Sequence, residues 1–314
     1  MGFMGFVIII IGSMASECWK DHLKTFFNQA NLIFLFMLCW ANENWTRAWD
    51  GGENQILIKQ DYSFEDDVIH INSLIPYFKD NRYIKVDKKP VFAIYKDAIF
   101  PDIERTLRTF REEARKHGLE LYLCRFDRDD NTSTCKPEDI GFDAAIDFQP
   151  ISKTFNTIKR GREKQNKISL NWNSKYVKYL QLEKYINLFY YRILKKTRNK
   201  KKRDLIIDYE EFISLDNKQI KPDYKQYPCV CPGWDNSSRR PLGQATIFKN
   251  SSPELFKGWT IEKLKRFKPY SKDENLFFVN AWNEWAEGNH LEPCEKNGYS
   301  YLEAFKKAIS QFIK

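Results

Sequence analysis

Seven short apolar runs punctuate the chain, at residues 6–11, 33–40, 90–95, 119–126, 142–148, 227–234 and 275–282. Each is rich in β-branched or aromatic residues and is bounded by polar or turn-forming positions, the pattern of a strand buried on both faces. Between several of them the pattern turns helical. Residues 66–78 open on acids, and residues 102–117 end at Gly118, which tolerates the left-handed backbone of a helix terminus. Strand and helix alternating in this way predict a parallel sheet clothed in helices, either an open doubly wound sheet or a closed barrel.

Polar residues at the strand ends choose between the two. Asn42, Glu43 and Asn44 follow the second run, Asp127 the fourth, Asp235 and Asn236 the sixth, and Glu284 and Glu287 the seventh. An open sheet concentrates its ligand contacts at one switch point, whereas a barrel gathers them from many strand ends onto one rim. The expected fold class is therefore α/β, a (β/α)8 TIM-type barrel. Seven strands are one short of eight, so the first strand is expected to be missing. Residues 1–314 then form a single catalytic barrel lacking its N-terminal part, interrupted at 150–227 by an irregular insertion with a basic helix.

Composition sharpens this in three places. The net charge of +9 is concentrated in the insertion, where residues 192–203 hold eight Lys or Arg and no acid. Such a run is a solvated helix end or, with tyrosines before it, a peripheral contact to an anionic membrane surface or a lipid phosphate. Seven cysteines without a C-x-x-C pair make neither a disulfide framework nor a zinc ribbon, which points to a reducing, cytoplasmic setting, membrane-peripheral at most. Cys229 and Cys231, two apart on a strand, face one side and fit packing better than ligation. The apolar start resembles a leader but lacks a basic n-region and is too short to span a bilayer, so it reads as a strand. Nine tryptophans offer flat apolar surfaces of the kind that stack on sugar rings and also fill cores.

The candidate chemistry lies in three stretches. "FFVNAWNEWAEGNH", residues 277–290, sets Glu284 and Glu287 among Trp282, Asn283 and Trp285 where an apolar run stops. Paired carboxylates divide into an acid and a base or nucleophile when their surroundings separate their pKa values, which is what glycosidic bond chemistry needs. The plainer alternative is two glutamates on one exposed helical turn. "CWANENWTRAWDGG", residues 39–52, repeats the theme with Asn42, Glu43, Asn44 and Trp45, amides suited to sugar hydroxyls. "PGWDNSSRRPLG", residues 232–243, offers Asp235 and Asn236 to hydroxyls and Arg239 to a carboxylate or phosphate, although Asp-Asn-Ser-Ser is also good turn chemistry. The Asp-x-Asp of Asp127 and Asp129 leaves open a metal- and nucleotide-sugar-dependent transferase. Nucleotide-loop, dinucleotide-loop, zinc-protease and serine-hydrolase motifs are absent from the sequence, and neither a cofactor, a resident metal nor a nucleic-acid partner is expected.

Together with "YFKDNRYIKVDKKPVFAIY" at residues 77–95, these stretches resemble the WbsX family of polysaccharide-biosynthesis proteins, from about Gly5 to the C-terminus. That family is similar to glycoside hydrolase family 99, the endo-α-mannosidase type. The resemblance implies a (β/α)8 barrel and a glycan or glycoconjugate substrate, lipid-linked ones included, in assembly of O-antigen or lipopolysaccharide-type surface polysaccharide. By the same resemblance Glu284 is the base that helps the 2-hydroxyl attack the anomeric carbon. Glu287 is the acid that protonates the leaving oxygen, and Glu43 contacts sugar. Where the family's second strand ends in tyrosines and a histidine, this chain has "VIIIIGS". That departure leaves room for a degenerate glycan-binding protein.

Overall fold

Phe36–Trp40 is buried at all five positions, so neither face of this strand meets water and it lies within a layered wall. The computed structural model describes residues 8–12, 35–47, 52–60, 62–128, 134–165 and 203–312. Seven segments make the wall: β1 (Ile8–Gly12), β2 (Phe36–Trp40), β3 (Lys89–Ile94), β4 (Tyr122–Asp127), β5 (Ala144–Asp147), β6 (Gln226–Tyr227, resuming after Pro228 as Cys229–Val230) and β7 (Phe278–Val279). Each pairs in parallel with the next, from Ile8↔Phe36 to Val230↔Val279. Strand order thus follows chain order without a reversal. A doubly wound sheet reverses at its switch point, so this is the connectivity of a barrel wall. Among the described residues no ladder joins β7 to β1.

All seven apolar runs supplied a wall strand. Both helices expected from the pattern also form, as α1 (Phe64–Phe78) and α2 (Ile103–Lys116). Their N-termini are capped by side chains, with Ser63 accepting from the Asp66 amide and Asp102 from the Arg105 amide, so orphan N–H groups of the first turn are satisfied. α2 ends at His117 and Gly118, the latter at φ 73°. Four further helices, α3 (Lys153–Gln165), α4 (Tyr209–Asp216), α5 (Pro253–Arg266) and α6 (Ser300–Ile309), were not singled out in the sequence. Nor were the antiparallel pair Trp45–Arg47 with Gly52–Ile58 and the parallel pair Leu205–Asp208 with Thr246–Lys249. Of the insertion expected at 150–227, residues 166–202 lie outside the described part, and with them all of the basic run except Arg203. Among the described residues no helix is long and apolar enough to cross a membrane.

Two apolar clusters meet at β6. Tyr227 and Cys229 belong to the cluster under α1 and α2, and Val230 and Cys231 to the one under α4, α5 and α6. Cys229 and Cys231 are both buried and free, in keeping with packing. A buried ion triad fastens the second cluster to the wall. Lys263 on α5 lies 2.8 Å from Asp147 at the end of β5 and 2.9 Å from Asp216 at the end of α4. Gln149 Nε2 donates to Asp147 Oδ2 and Asp216 Oδ1, and the Trp259 indole donates to Asp216 Oδ2. Burial works against the Lys263 charge, yet the two aspartates outweigh it and raise its pKa.

Candidate active site

Beyond β7 the chain makes a tight hairpin that carries the acids. Asn283–Glu284 pairs antiparallel with Asn289–His290 around a single turn of 3-10 helix, Trp285–Glu287. Gly288 closes the turn at φ 57°, and a Cβ there would sit 3.1 Å from the Asp235 Cβ. Only glycine meets both demands. The close approach is used: the Asp235 amide donates to the Glu287 carbonyl at 2.7 Å, and Ser238 Oγ donates to the Ala286 carbonyl at 2.7 Å. The loop after β6 and the acid hairpin are therefore laced into one frame.

That frame delivers Arg239 to both acids. One guanidinium nitrogen, Nη1, is 3.2 Å from Glu287 Oε1 and 3.5 Å from Glu284 Oε1. Both oxygens sit within 3.5 Å of one atom, so they are at most about 7 Å apart, close enough for both carboxyls to reach one glycosidic bond. Their surroundings differ. Glu287 is 22% exposed and Glu284 39%. Burial pushes the Glu287 carboxyl up to about 7, with Arg239, Arg240 and Arg128 opposing the rise and the Glu284 charge adding to it. Trp282 and Trp285 are exposed beside them. The Trp285 ring is held from behind, stacked on His290 at 3.9 Å with its indole N–H donated to Glu292.

A second group of side chains follows the ends of β2 to β5. Rings of Tyr95, Phe126 and Phe148 meet edge to face at 5.3–6.0 Å, and the Arg128 guanidinium lies over Tyr95 at 4.3 Å and over Phe148 at 4.9 Å. Arg128 is buried, and its charge acts on Glu287. Lys96, next to Tyr95, pairs with Glu43. Asn280 Nδ2 donates to the Gln149 carbonyl at 2.7 Å and ties the end of β7 to that of β5. Contacts thus link the segments that follow six wall strands, β2 to β7.

The residues singled out in the sequence divide accordingly. Glu284, Glu287 and Arg239 come together, with Trp282, Asn283 and Trp285 exposed around them. Asn42 does not fit the expected sugar contact. It is fully buried, with Nδ2 on the Lys96 carbonyl and Oδ1 on the Lys96 amide, so it staples β2 to β3. Asn44 Oδ1 accepts from the Gln60 amide, Asn236 Oδ1 from the Thr246 amide, and Asp235 Oδ1 from the Ser237 amide. These three shape loops, Asn236 from a buried position. Glu43 keeps about half its side chain exposed beside Lys96, and Trp45 begins a short strand whose side chains lie outside the described part. Asp127 accepts from Arg125, Tyr224 and Gln226, and its expected partner Asp129 lies outside the described residues. Among the described residues no group of three or more metal-binding side chains forms. Lys96 and Arg128 were missed, the first as an ordinary lysine after a strand, the second as the middle of Asp-Arg-Asp.

A parallel wall in chain order, with tryptophan-flanked carboxylates beyond its last strand, defines an α/β protein with the strand connectivity of a barrel wall. The chain belongs to the glycosyltransferase WbsX family, whose model matches residues 14–305. Two relatives, both "Uncharacterized protein WxcX", come from Xanthomonas campestris pv. campestris strains ATCC 33913 and B100. Each is 31% identical over 281 residues, which is 88% of this chain and 35% of the relative. The chain thus spans about a third of the length of the curated relatives it matches. Among solved structures, the GH99 endo-alpha-mannosidase from Bacteroides thetaiotaomicron superposes over 98% of this chain and 75% of its own, with TM-score 0.53 and 12% identity. At that identity the likeness is one of fold.

Proposed function

We propose that the chain breaks or transfers a glycosidic bond during assembly of a surface polysaccharide, with retention of configuration at the anomeric carbon. Glu284 takes the proton of the sugar's 2-hydroxyl as that oxygen attacks C1, while Glu287 gives its proton to the departing oxygen. In the second half Glu287, now ionised, removes a proton from water or an acceptor hydroxyl, whose oxygen attacks C1. The 2-oxygen leaves C1 and recovers its proton from Glu284, so both acids return to their starting states. Hydrolysis and transfer differ only in which hydroxyl arrives second. The substrate is a glycan or glycoconjugate, with lipid-linked sugars included, stacked on Trp282 and Trp285 and bordered by Glu43.

The observation that carries this proposal is the unequal pair. A carboxyl raised to about 7 is still substantially protonated near neutrality, which suits an acid, and it stands beside a more exposed partner held by the same arginine. The test is product analysis by mass spectrometry after incubation with α-mannoside-type and other surface-polysaccharide oligosaccharides. Glu287→Gln is expected to lower turnover about 10²- to 10⁴-fold, the usual worth of a positioned acid. Turnover unchanged by that substitution removes the proposal. The rate is also expected to fall as pH rises above about 7, because Glu287 loses its proton there.

A further inference from the structure

We propose that Arg239 is a positioning residue that clamps Glu284 and Glu287 at a fixed spacing, and is not a contact for the sugar. The inference rests on the glycosyl chemistry proposed for these acids. Arg239 uses one nitrogen on both carboxylates, at 3.2 and 3.5 Å, so a sugar oxygen taking that nitrogen has to break the grip on the acids. The arginine is not carried on a free arm. Its 3-10 turn, Ser237–Arg239, hangs on the acid hairpin itself through the Asp235 amide and Ser238 Oγ, each bond 2.7 Å. Behind the turn, the Phe248 amide donates to the Trp234 carbonyl at 2.7 Å, and Asn236 and Thr246 exchange hydrogen bonds. Clamp and acids therefore move as one body.

The charged groups facing Glu287 are Glu284 on its own hairpin, Arg239 and Arg240 on the loop after β6, and Arg128 at the end of β4. Burial and Glu284 favour the protonated form. Arg239 heads the groups that favour the ionised form, ahead of Arg240 and Arg128. Without Arg239, two acids face each other with their shared cation gone. The proton is then held more tightly on Glu287, and Glu284 is free to swing away. Loss of a sugar-binding arginine at the same distance would shift Glu287 as well, but it would also weaken glycan affinity and raise KM, which loss of a clamp does not.

The experiment is a pH titration of the full chain labelled with ¹³C at glutamate carboxyls, with the Glu287 signal assigned by its loss in Glu287→Gln. In Arg239→Gln the Glu287 midpoint is expected to rise by about one pH unit or more, the usual effect of losing an adjacent opposite charge. Arg239→Lys, which keeps the charge but not the planar fork, is expected to give a smaller rise, and it serves if the glutamine variant does not fold. On a turned-over glycan, the alkaline limb of kcat should rise with the midpoint, kcat should fall, and KM should change less than about threefold. A Glu287 midpoint that stays in place or drops in both variants overturns the inference, as does a KM raised about threefold or more, wherever the alkaline limb lies. The carboxyl titration needs no substrate, so it separates failure of the clamp from failure of the proposed reaction.

Discussion

Asn42→Ala separates a structural amide from a sugar-binding one. The wild-type side chain is fully buried, donates from Nδ2 to the Lys96 carbonyl at 2.7 Å and accepts from the Lys96 amide at 2.9 Å. Its own carbonyl accepts from the Tyr62 hydroxyl. Alanine removes both side-chain bonds and strands one donor and one acceptor of the Lys96 backbone in a partly buried place. At about 1–3 kcal/mol for each unsatisfied group, taken toward the low end because the site is not fully dry, the loss is about 2–4 kcal/mol. Urea unfolding at pH 7, with the slope checked for equality between variants, measures it. Asn42→Asp keeps an acceptor for the Lys96 amide but turns a negative oxygen on the Lys96 carbonyl, so it should recover little. A loss below about 0.5 kcal/mol with normal folding would refute the staple. Weaker glycan binding without destabilisation would return Asn42 to the substrate site.

Other substitutions test the frame and the rim. Lys263→Met leaves Asp147 and Asp216 buried without their cation and should cost about 3–5 kcal/mol by urea unfolding; a cost under about 1 kcal/mol contradicts the triad. Gly288→Ala forces a side chain into left-handed backbone, 3.1 Å from Asp235, and should shift the acid hairpin. The expected result is a stability loss of about 1–2 kcal/mol with a disproportionate fall in turnover, and wild-type turnover would contradict it. Trp285→Ala should weaken glycan binding about three- to tenfold by calorimetry, at a stability cost of about 1–2 kcal/mol for the lost His290 stack and Glu292 hydrogen bond; unaltered binding argues against a sugar platform.

The wall was legible because strands buried on both faces are written as unbroken apolar runs, and β2 shows it: the run at 33–40 became a strand with five buried residues. Elements outside the wall lack that signature. Leu205–Asp208 is a four-residue strand whose partner, Thr246–Lys249, lies far along the chain, and pairing at such a distance leaves no local pattern. α5 did carry readable signals, Ser252 as cap, Pro253 in its first turn and basic residues in its last. At the site, the position of Glu284 and Glu287 could be read from the apolar run that precedes them. The roles of Asn42 and Asn44 could not, because an amide that binds a hydroxyl and one that staples a backbone have the same letter. Arg239 was expected to reach outward to an anion, and the structure turns it onto the protein's own acids. Arg128 depends on Tyr95 and Phe148, which only the folding of β3, β4 and β5 brings beneath it.

The central claim is that Glu284 and Glu287 act together on one anomeric carbon. Proton NMR of the first product formed, before mutarotation, tests it most directly, with wild type and Glu284→Gln compared on the same oligosaccharide. Product of the same anomeric configuration as the substrate, with turnover lost in the variant, agrees with the paired mechanism. Product of inverted configuration, or undiminished turnover without Glu284, contradicts it.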